Sequence, residues 1–387
     1  MKKITLIAIA LFLIANNQIF AQDNELGPSD RVITTAVPFL LVPGDARASG
    51  MGDIGVATPT DTYSQQWNPA KYAFAKQQQG VGISYVPYLR KLASDINVGQ
   101  LNYYNRINER GAFAARLVYF NLGKIESRQN PLEDGLELKP NQLSLDLSYA
   151  LRLSDHFSMA VTGRYIRSDL KLQTAFEDAS AANSFSADVS GFFESNEMVF
   201  ENFNGVWRGG FNISNIGPKI KYGDDDEGSF LPTNLGLGGG FDFILDADNT
   251  IGTYVEFNKL MVPTPKDSNG DGKIDREDDF YTTSPISGMF KSFGDAPGGF
   301  SEELKEVTWA LGAEYRYQET FALRAGYFHE NEDKGYRQYF TLGAGFKYSL
   351  AEINVSYLFN TASATTNPLE GSLRFSLAFN FGELYNN

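Results

Sequence analysis

The chain contains no cysteine, which removes any disulfide framework, thiol nucleophile or zinc–thiolate centre. Histidine is nearly absent: His156 falls in an expected short turn and His329 at an expected strand end, so neither suggests a metal site or a catalytic triad. Basic charge is scarce, with 33 lysines and arginines against 47 acidic residues and a net charge of −14, which argues against nucleic acid as a partner. Long hydrophobic runs are missing after residue 15, and nothing approaches the roughly 20 apolar residues a transmembrane helix needs. No phosphate-binding P-loop is present, so the energy for any transport comes from elsewhere. Any membrane insertion must therefore use strands, and nothing in the sequence argues for an enzyme.

What is present begins with an export signal. Lys2 and Lys3 precede the apolar run Ile4 to Ala15, and a short polar stretch ends in Ile19-Phe20-Ala21, which predicts a signal peptide over 1–21 cleaved after Ala21. At the other end, Ser372 to Phe381 alternates strictly. Leu373, Phe375, Leu377, Phe379 and Phe381 share one face of a strand, and Ser372, Arg374, Ser376, Ala378 and Asn380 share the other. The same period of two recurs from Gly80 onward without intervening amphipathic helices, in a chain with 30 Phe, 20 Tyr and 37 Gly and a mean hydropathy of only −0.28. This combination predicts an all-β protein, an antiparallel transmembrane β-barrel in the outer membrane.

Candidate strands lie at 82–89, 96–105, 112–122, 143–153, 157–167, 184–192, 206–213, 234–244, 250–258, 307–317, 321–329, 339–349, 352–359 and 372–381. The count is about 14, even as a single-chain bacterial barrel requires. Leu143, Leu145, Leu147, Tyr149, Leu151 and Leu153 oppose Gln142, Ser144, Asp146, Ser148 and Arg152, and Ile353, Val355, Tyr357 and Phe359 oppose Glu352, Asn354 and Ser356. A charge on the lipid face costs up to a few kcal/mol near the midplane, so Asp146, Arg152 and Glu352 are expected in the lumen. Residues 22–79 read as a polar leader followed by an N-terminal plug inside the lumen, because Gly and Pro interrupt 32–74 and irregular backbone at membrane depth must be shielded from lipid. A periplasmic arm is the alternative. The barrel is expected over 80–387, with short turns at 153–156, 246–249 and 348–352 on the periplasmic side and long connections at 124–141, 170–183, 216–233 and 261–306 outside.

The longest connection holds the one motif that carries chemistry. Asp267, Asn269 and Asp271 occupy positions 1, 3 and 5 of a twelve-position calcium loop, Gly272 makes the turn at 6, Lys273 offers its carbonyl at 7, and Asp275 stands at 9. The departure is Asp278 at position 12, where Glu is usual. No clear helix pair flanks the motif, so it reads as an isolated loop in which calcium orders the insertion; a solvated acidic turn is the alternative. The run Asp224-Asp225-Asp226-Glu227 reads as solvated surface.

Several segments carry a family resemblance: Arg47-Ala48-Ser49-Gly50-Met51-Gly52-Asp53, Gln66-Trp67-Asn68-Pro69-Ala70, Asn258-Lys259-Leu260-Met261-Val262-Pro263-Thr264-Pro265 and Phe300-Ser301-Glu302-Glu303-Leu304-Lys305-Glu306. The chain resembles the PorV (LptO) family of the Bacteroidetes type IX secretion system over essentially the whole mature sequence. That resemblance implies a FadL-like barrel of 14 strands with an N-terminal plug. It also implies partners: a large translocon barrel, cargo with a C-terminal signal domain, and a surface attachment complex with a sortase-like peptidase. A cargo shuttle, a FadL-like transporter of hydrophobic small molecules and a structural outer-membrane scaffold are the three functions left open, because fold alone does not choose among them.

Overall fold

The computed structural model describes residues 31–385 apart from 91–92, 128–135, 171–172, 175–176, 179–180, 224–226 and 363–369. The expected signal peptide, residues 22–30 of the leader and the acidic run at 224–226 lie outside the described residues. Fourteen long strands form one antiparallel ring: β1 (Gln77–Pro87), β2 (Asn97–Arg106), β3 (Gly111–Asn121), β4 (Asn141–Arg152), β5 (Phe157–Asp169), β6 (Ala182–Glu194), β7 (Asn204–Ile216), β8 (Asn234–Ile244), β9 (Asn249–Leu260), β10 (Val307–Tyr317), β11 (Phe321–His329), β12 (Gln338–Tyr348), β13 (Ala351–Asn360) and β14 (Leu373–Leu384). Each pairs with its neighbour in sequence, and β14 pairs with β1 to close the barrel, with Phe375 opposite Tyr85 and Phe379 opposite Val81. Every expected strand is present. Several run one to five residues further than the alternation suggested, β1 starting at Gln77 rather than Gly82, because backbone pairing continues where the side-chain pattern blurs.

The faces follow from the pleat. Ser144, Asp146 and Ser148 are buried, whereas Leu145, Leu147 and Tyr149 point outward, and on β14 Arg374 and Ser376 are buried while Leu373, Phe375 and Phe379 point outward. An outward belt of Phe, Tyr, Leu, Ile and Val results, which suits lipid.

Short and long connections alternate, so the barrel has a turn end and a loop end. The loop-end connections at 124–141 and 170–183 carry two small hairpins, Ile125–Ser127 with Leu136–Leu138 and Gln173–Thr174 with Glu177–Asp178. Residues 31–76 enter at the loop end and run through the lumen to the start of β1. This inner segment contains α1 (Ala46–Ser49), capped by Asp45 whose Oδ1 accepts the Ala48 N–H at 2.8 Å, and α2 (Ser64–Trp67). Asn68 caps the following 3-10 turn, Pro69–Phe74. Phe39 joins Val86, Val98, Val118, Phe120 and Ile166 in one apolar cluster, and Tyr72 and Phe74 join Tyr104, Ala114, Ala150 and Phe192 in a second.

The Gly50-Met51-Gly52 bend fits only because the wall is bare there. A Cβ added to Gly326 on β11 would lie 2.0 Å from the Met51 carbonyl carbon, and one on Gly312 of β10 would lie 2.6 Å from the Met51 oxygen. Gly52 itself has φ +79°, a conformation glycine adopts without strain, and donates its N–H to Thr341 Oγ1 at 2.8 Å.

The 261–306 insertion is not a bare loop. It holds α3 (Asp279–Thr282), α4 (Pro285–Lys291) and α5 (Phe300–Lys305), and α3 begins directly after the twelve-position motif. Phe280 packs with Phe230 and Val262, which seats the insertion on the barrel rim.

Candidate functional site

Inside the barrel, oppositely charged side chains hold the inner segment to the wall. Arg47 grips Glu314 of β10 with two parallel bonds of 3.0 Å and reaches Asp61 at 2.8 Å. Glu314 also accepts from Arg324 of β11 at 2.7 Å. Asp53 takes Arg374 of β14 at 2.8 Å and the Tyr339 hydroxyl. Glu256 of β9 accepts the N–H groups of Gly55 and Val56 at 2.9 and 2.8 Å, using a carboxylate where a strand would have used a carbonyl. A separate chain lies in the wall itself, where Asp146 joins Arg116 and Arg164 at 2.7 Å each and Arg164 continues to Asp188 at 2.7 Å. These groups are buried, so each depends on its partner: removing one member of such a pair costs about 3–5 kcal/mol.

The inner segment divides the lumen into two spaces. At the loop end a cavity of about 510 Å³ is lined by Val32, Ile33, Leu40, Val42, Arg116 and Arg337, among others. At the turn end a chamber of about 960 Å³ is lined by Tyr104, Arg152, Arg208, Asp242, Arg316 and Asn380, among others.

Above the loop-end cavity two segments far apart in sequence lock together. Lys259 bridges Glu303 at 3.0 Å and Glu306 at 2.8 Å, while Thr264 Oγ1 donates to Glu306 at 2.8 Å. Glu302 accepts from Arg31 at 2.8 Å and from Lys334 at 2.8 Å, and Lys334 also reaches Glu306 at 3.1 Å. The start of the insertion, its end, the inner segment and the β11–β12 connection thus share one buried ionic cluster. Burial acts to raise the Glu302 carboxyl, but the bonds from Arg31 and Lys334 outweigh it and hold it at about 2. Asp295, which faces Thr264, is instead pushed up by burial, with Glu303 and Glu306 adding to the effect.

This platform presents an apolar face. Among the aromatic and methionine residues of the insertion, Phe280 and Met289 are buried, so they are packing groups rather than part of an exposed cluster. Phe290 and Phe300 remain 73% and 76% exposed, and Ile286, Phe293 and Leu304 are exposed beside them in the sequence.

Of the expected metal residues, Asn269, Asp271 and Lys273 lie on the insertion's surface, Asp267 and Asp275 are half-buried and Asp278 is buried. Asp267 accepts the N–H groups of Gly270 and Gly272 at 2.6 and 2.7 Å, Asn269 accepts that of Asp271 at 2.9 Å, and Asp271 that of Lys273 at 2.9 Å. Asp275 accepts the Glu277 N–H at 3.0 Å, and buried Asp278 accepts from Ser268 N at 2.6 Å and Asp275 N at 2.8 Å. Burial acts to raise the Asp278 carboxyl, yet these bonds hold it below the usual range and keep it ionised. Among the described residues, no three carboxylates or imidazoles converge as a preformed metal cluster. His156 bonds the Glu194 carbonyl and His329 stacks on Trp309 at 5.0 Å, which gives both packing roles.

The sequence places Asp146 in the lumen and Arg374 on the polar face of its strand, but it does not show their partners. Glu256, Glu314 and Arg324, which sequence reasoning did not single out, also stand at inward positions of strands, and that placement was the available signal.

Solved structures with the same fold include hydrocarbon channels. The P. putida toluene transporter TodX aligns with a TM-score of 0.50 at 12% identity, covering 88% of this chain and 100% of that one. A TodX mutant described as a monoaromatic hydrocarbon channel aligns with a TM-score of 0.50 at 13% identity, covering 87% and 99%. At such identity the likeness shows the barrel fold alone. No curated protein sequence matches. A family model, "Type IX secretion system protein PorV", matches residues 25–267, well over half of the 387-residue chain. Together with the closed 14-stranded outer-membrane barrel, this establishes that the chain belongs to the PorV family of type IX secretion system proteins.

Proposed function

We propose that the protein is a cargo shuttle: it receives exported proteins bearing a C-terminal signal domain from the large translocon barrel and delivers them to the surface attachment complex with its sortase-like peptidase. The observation that carries this reading, beside family membership, is the platform. Its two family-like segments, 258–265 and 300–306, meet through Lys259, Glu303, Glu306 and Thr264, and Phe290 and Phe300 of the same insertion remain largely exposed. Exposed aromatic residues on an insertion fastened by buried ion pairs suit a protein partner. In this reading the loop end faces outward, the signal peptide over 1–21 is removed, and residues 31–76 plug the lumen so that cargo passes over the barrel rather than through it.

The apolar part of the loop-end cavity favours a second reading, uptake of hydrophobic small molecules. Deletion of the gene separates the two. The shuttle reading expects cargo that is poorly secreted or retains its signal domain, with no surface attachment and normal hydrocarbon or fatty-acid uptake. Normal secretion and anchoring with failed uptake would establish the transporter instead.

Calcium belongs to the same proposal as an ordering ion. Half-buried Asp267 and exposed Asp271 are oxygen donors on a turn already shaped by their own side chains, so the donor chemistry fits a hard cation, although Asp267 and Asp278 would have to leave backbone partners to join. Calcium is expected to slow protease cleavage within 261–306 on whole cells, and Asp267→Ala with Asp271→Ala to abolish that protection. Identical cleavage with calcium and with chelator would return the motif to a solvated turn.

A further inference from the structure

On the barrel wall, Asn102 stands between a residue that lines one lumenal space and a residue that lines the other. Arg116 lines the loop-end cavity and Tyr104 lines the turn-end chamber. Asn102 is the cross-strand partner of Arg116 in the β2–β3 register and the inward neighbour of Tyr104 on β2, so it lies roughly 5 Å along the sheet from the first and roughly 7 Å along the strand from the second. It is fully buried, yet neither its amide nitrogen nor its amide oxygen has a hydrogen-bond partner in the protein.

A buried amide left unpaired forfeits its hydration with nothing in return, so a single Asn with both ends orphaned is hard to explain in a dry wall. It is also not alone. Gln65 of the inner segment, whose nitrogen donates to Ser148 of β4, leaves its Oε1 unpaired, and Ser84 and Ser144 lie in the next inward row with unpaired hydroxyls. Opposite Asn102 on β1 stands Gly82, over which Tyr63 and Thr62 of the inner segment pack, so the side chains nearest Asn102 on that side also carry hydroxyls. On the turn-end side the polar atoms continue: Tyr104 Oη donates to Asn380 Oδ1 at 3.1 Å, and Thr62 Oγ1 donates to the same oxygen at 2.9 Å. On the loop-end side Arg116 carries on the line.

We infer that a water-filled thread passes the inner segment at Asn102 and joins the two spaces, so the barrel conducts water while its lumen is blocked to larger solutes. Asn102 supplies a donor and an acceptor at the narrowest point, the combination a passing water molecule needs to exchange partners. The inference rests on the wall and inner segment alone and stands whether or not the platform carries cargo.

The test is osmotic water permeability of liposomes holding the purified full-length mature protein, followed by stopped-flow light scattering after a sucrose jump. Native protein is expected to shrink vesicles faster than protein-free controls. Asn102→Leu, checked for folding by its heat-modifiable gel shift, is expected to return the rate to the control value, and Asn102→Ser to retain it. Native vesicles that shrink no faster than protein-free ones would overturn the inference without any variant. A folded Asn102→Leu protein as permeable as the native one would overturn it equally.

Discussion

Glu314 concentrates the electrostatics of the lumen into one residue. It is fully buried and accepts from Arg47 of the inner segment and from Arg324 of the wall, with Arg316 of the wall 3.6 Å away, so its single negative charge faces three guanidinium groups. Glu314→Gln keeps the shape and removes the charge, and the expected loss is about 3–5 kcal/mol, read as a lower urea midpoint for the folded barrel in lipid vesicles. A midpoint unchanged from native would mean that the guanidinium groups find compensation elsewhere. Glu302 makes a pH prediction outside the membrane. Its carboxyl is depressed from 4.5 to about 2, so its contribution is fully present above pH 4.5 and is lost as the pH falls through about 2. Asp295 acts in the opposite sense, since its raised carboxyl favours the folded form once protonated. The Glu302 contribution to platform docking is expected to hold at pH 5 and to fade toward pH 2, and Glu302→Gln should weaken docking at neutral pH, followed by pulsed proteolysis of 261–306.

At the scale of elements, the strands were legible and the inner segment was only partly so. A strand repeats every two residues, so Leu143 to Leu153 declares both its conformation and its two faces without any tertiary information. The inner segment has no period, and its conformation is dictated by contacts with residues up to about 330 positions away, such as Ala46 N–H donating to Ser376 Oγ. The same non-locality hid the platform: Lys259 and Glu306 are ordinary charges until β9 and β10 bring their ends together. The insertion's helices are only four to seven residues long, too short to show amphipathic periodicity, which is why 261–306 reads as loop. Two outcomes test this level. Gly326→Val would place side-chain atoms in the Met51 backbone, so it is expected to dislodge the inner segment while leaving the wall intact, seen as new protease cleavage within 31–76 and a rise in single-channel conductance. Phe375→Asp on the outward face of β14 is expected to lower the heat-modifiable folded fraction sharply, whereas Asn380→Asp, which keeps an oxygen for Thr62 and Tyr104, is expected to be mild. Equal damage from both would contradict the face assignment.

At the scale of the whole molecule, a closed 14-stranded barrel carries an ionically fastened interior and a locked apolar platform at one end. The central claim is that this platform meets protein partners. Its most direct test is co-purification from membranes with the native chain and with a Phe290→Asp, Phe300→Asp double variant, whose changed residues are mostly exposed and outside the barrel. Native protein is expected to bring down a very large outer-membrane barrel and cargo carrying a C-terminal signal domain, and the folded double variant to lose one or both. Capture of neither by the native chain, or undiminished capture by the double variant, would contradict the account.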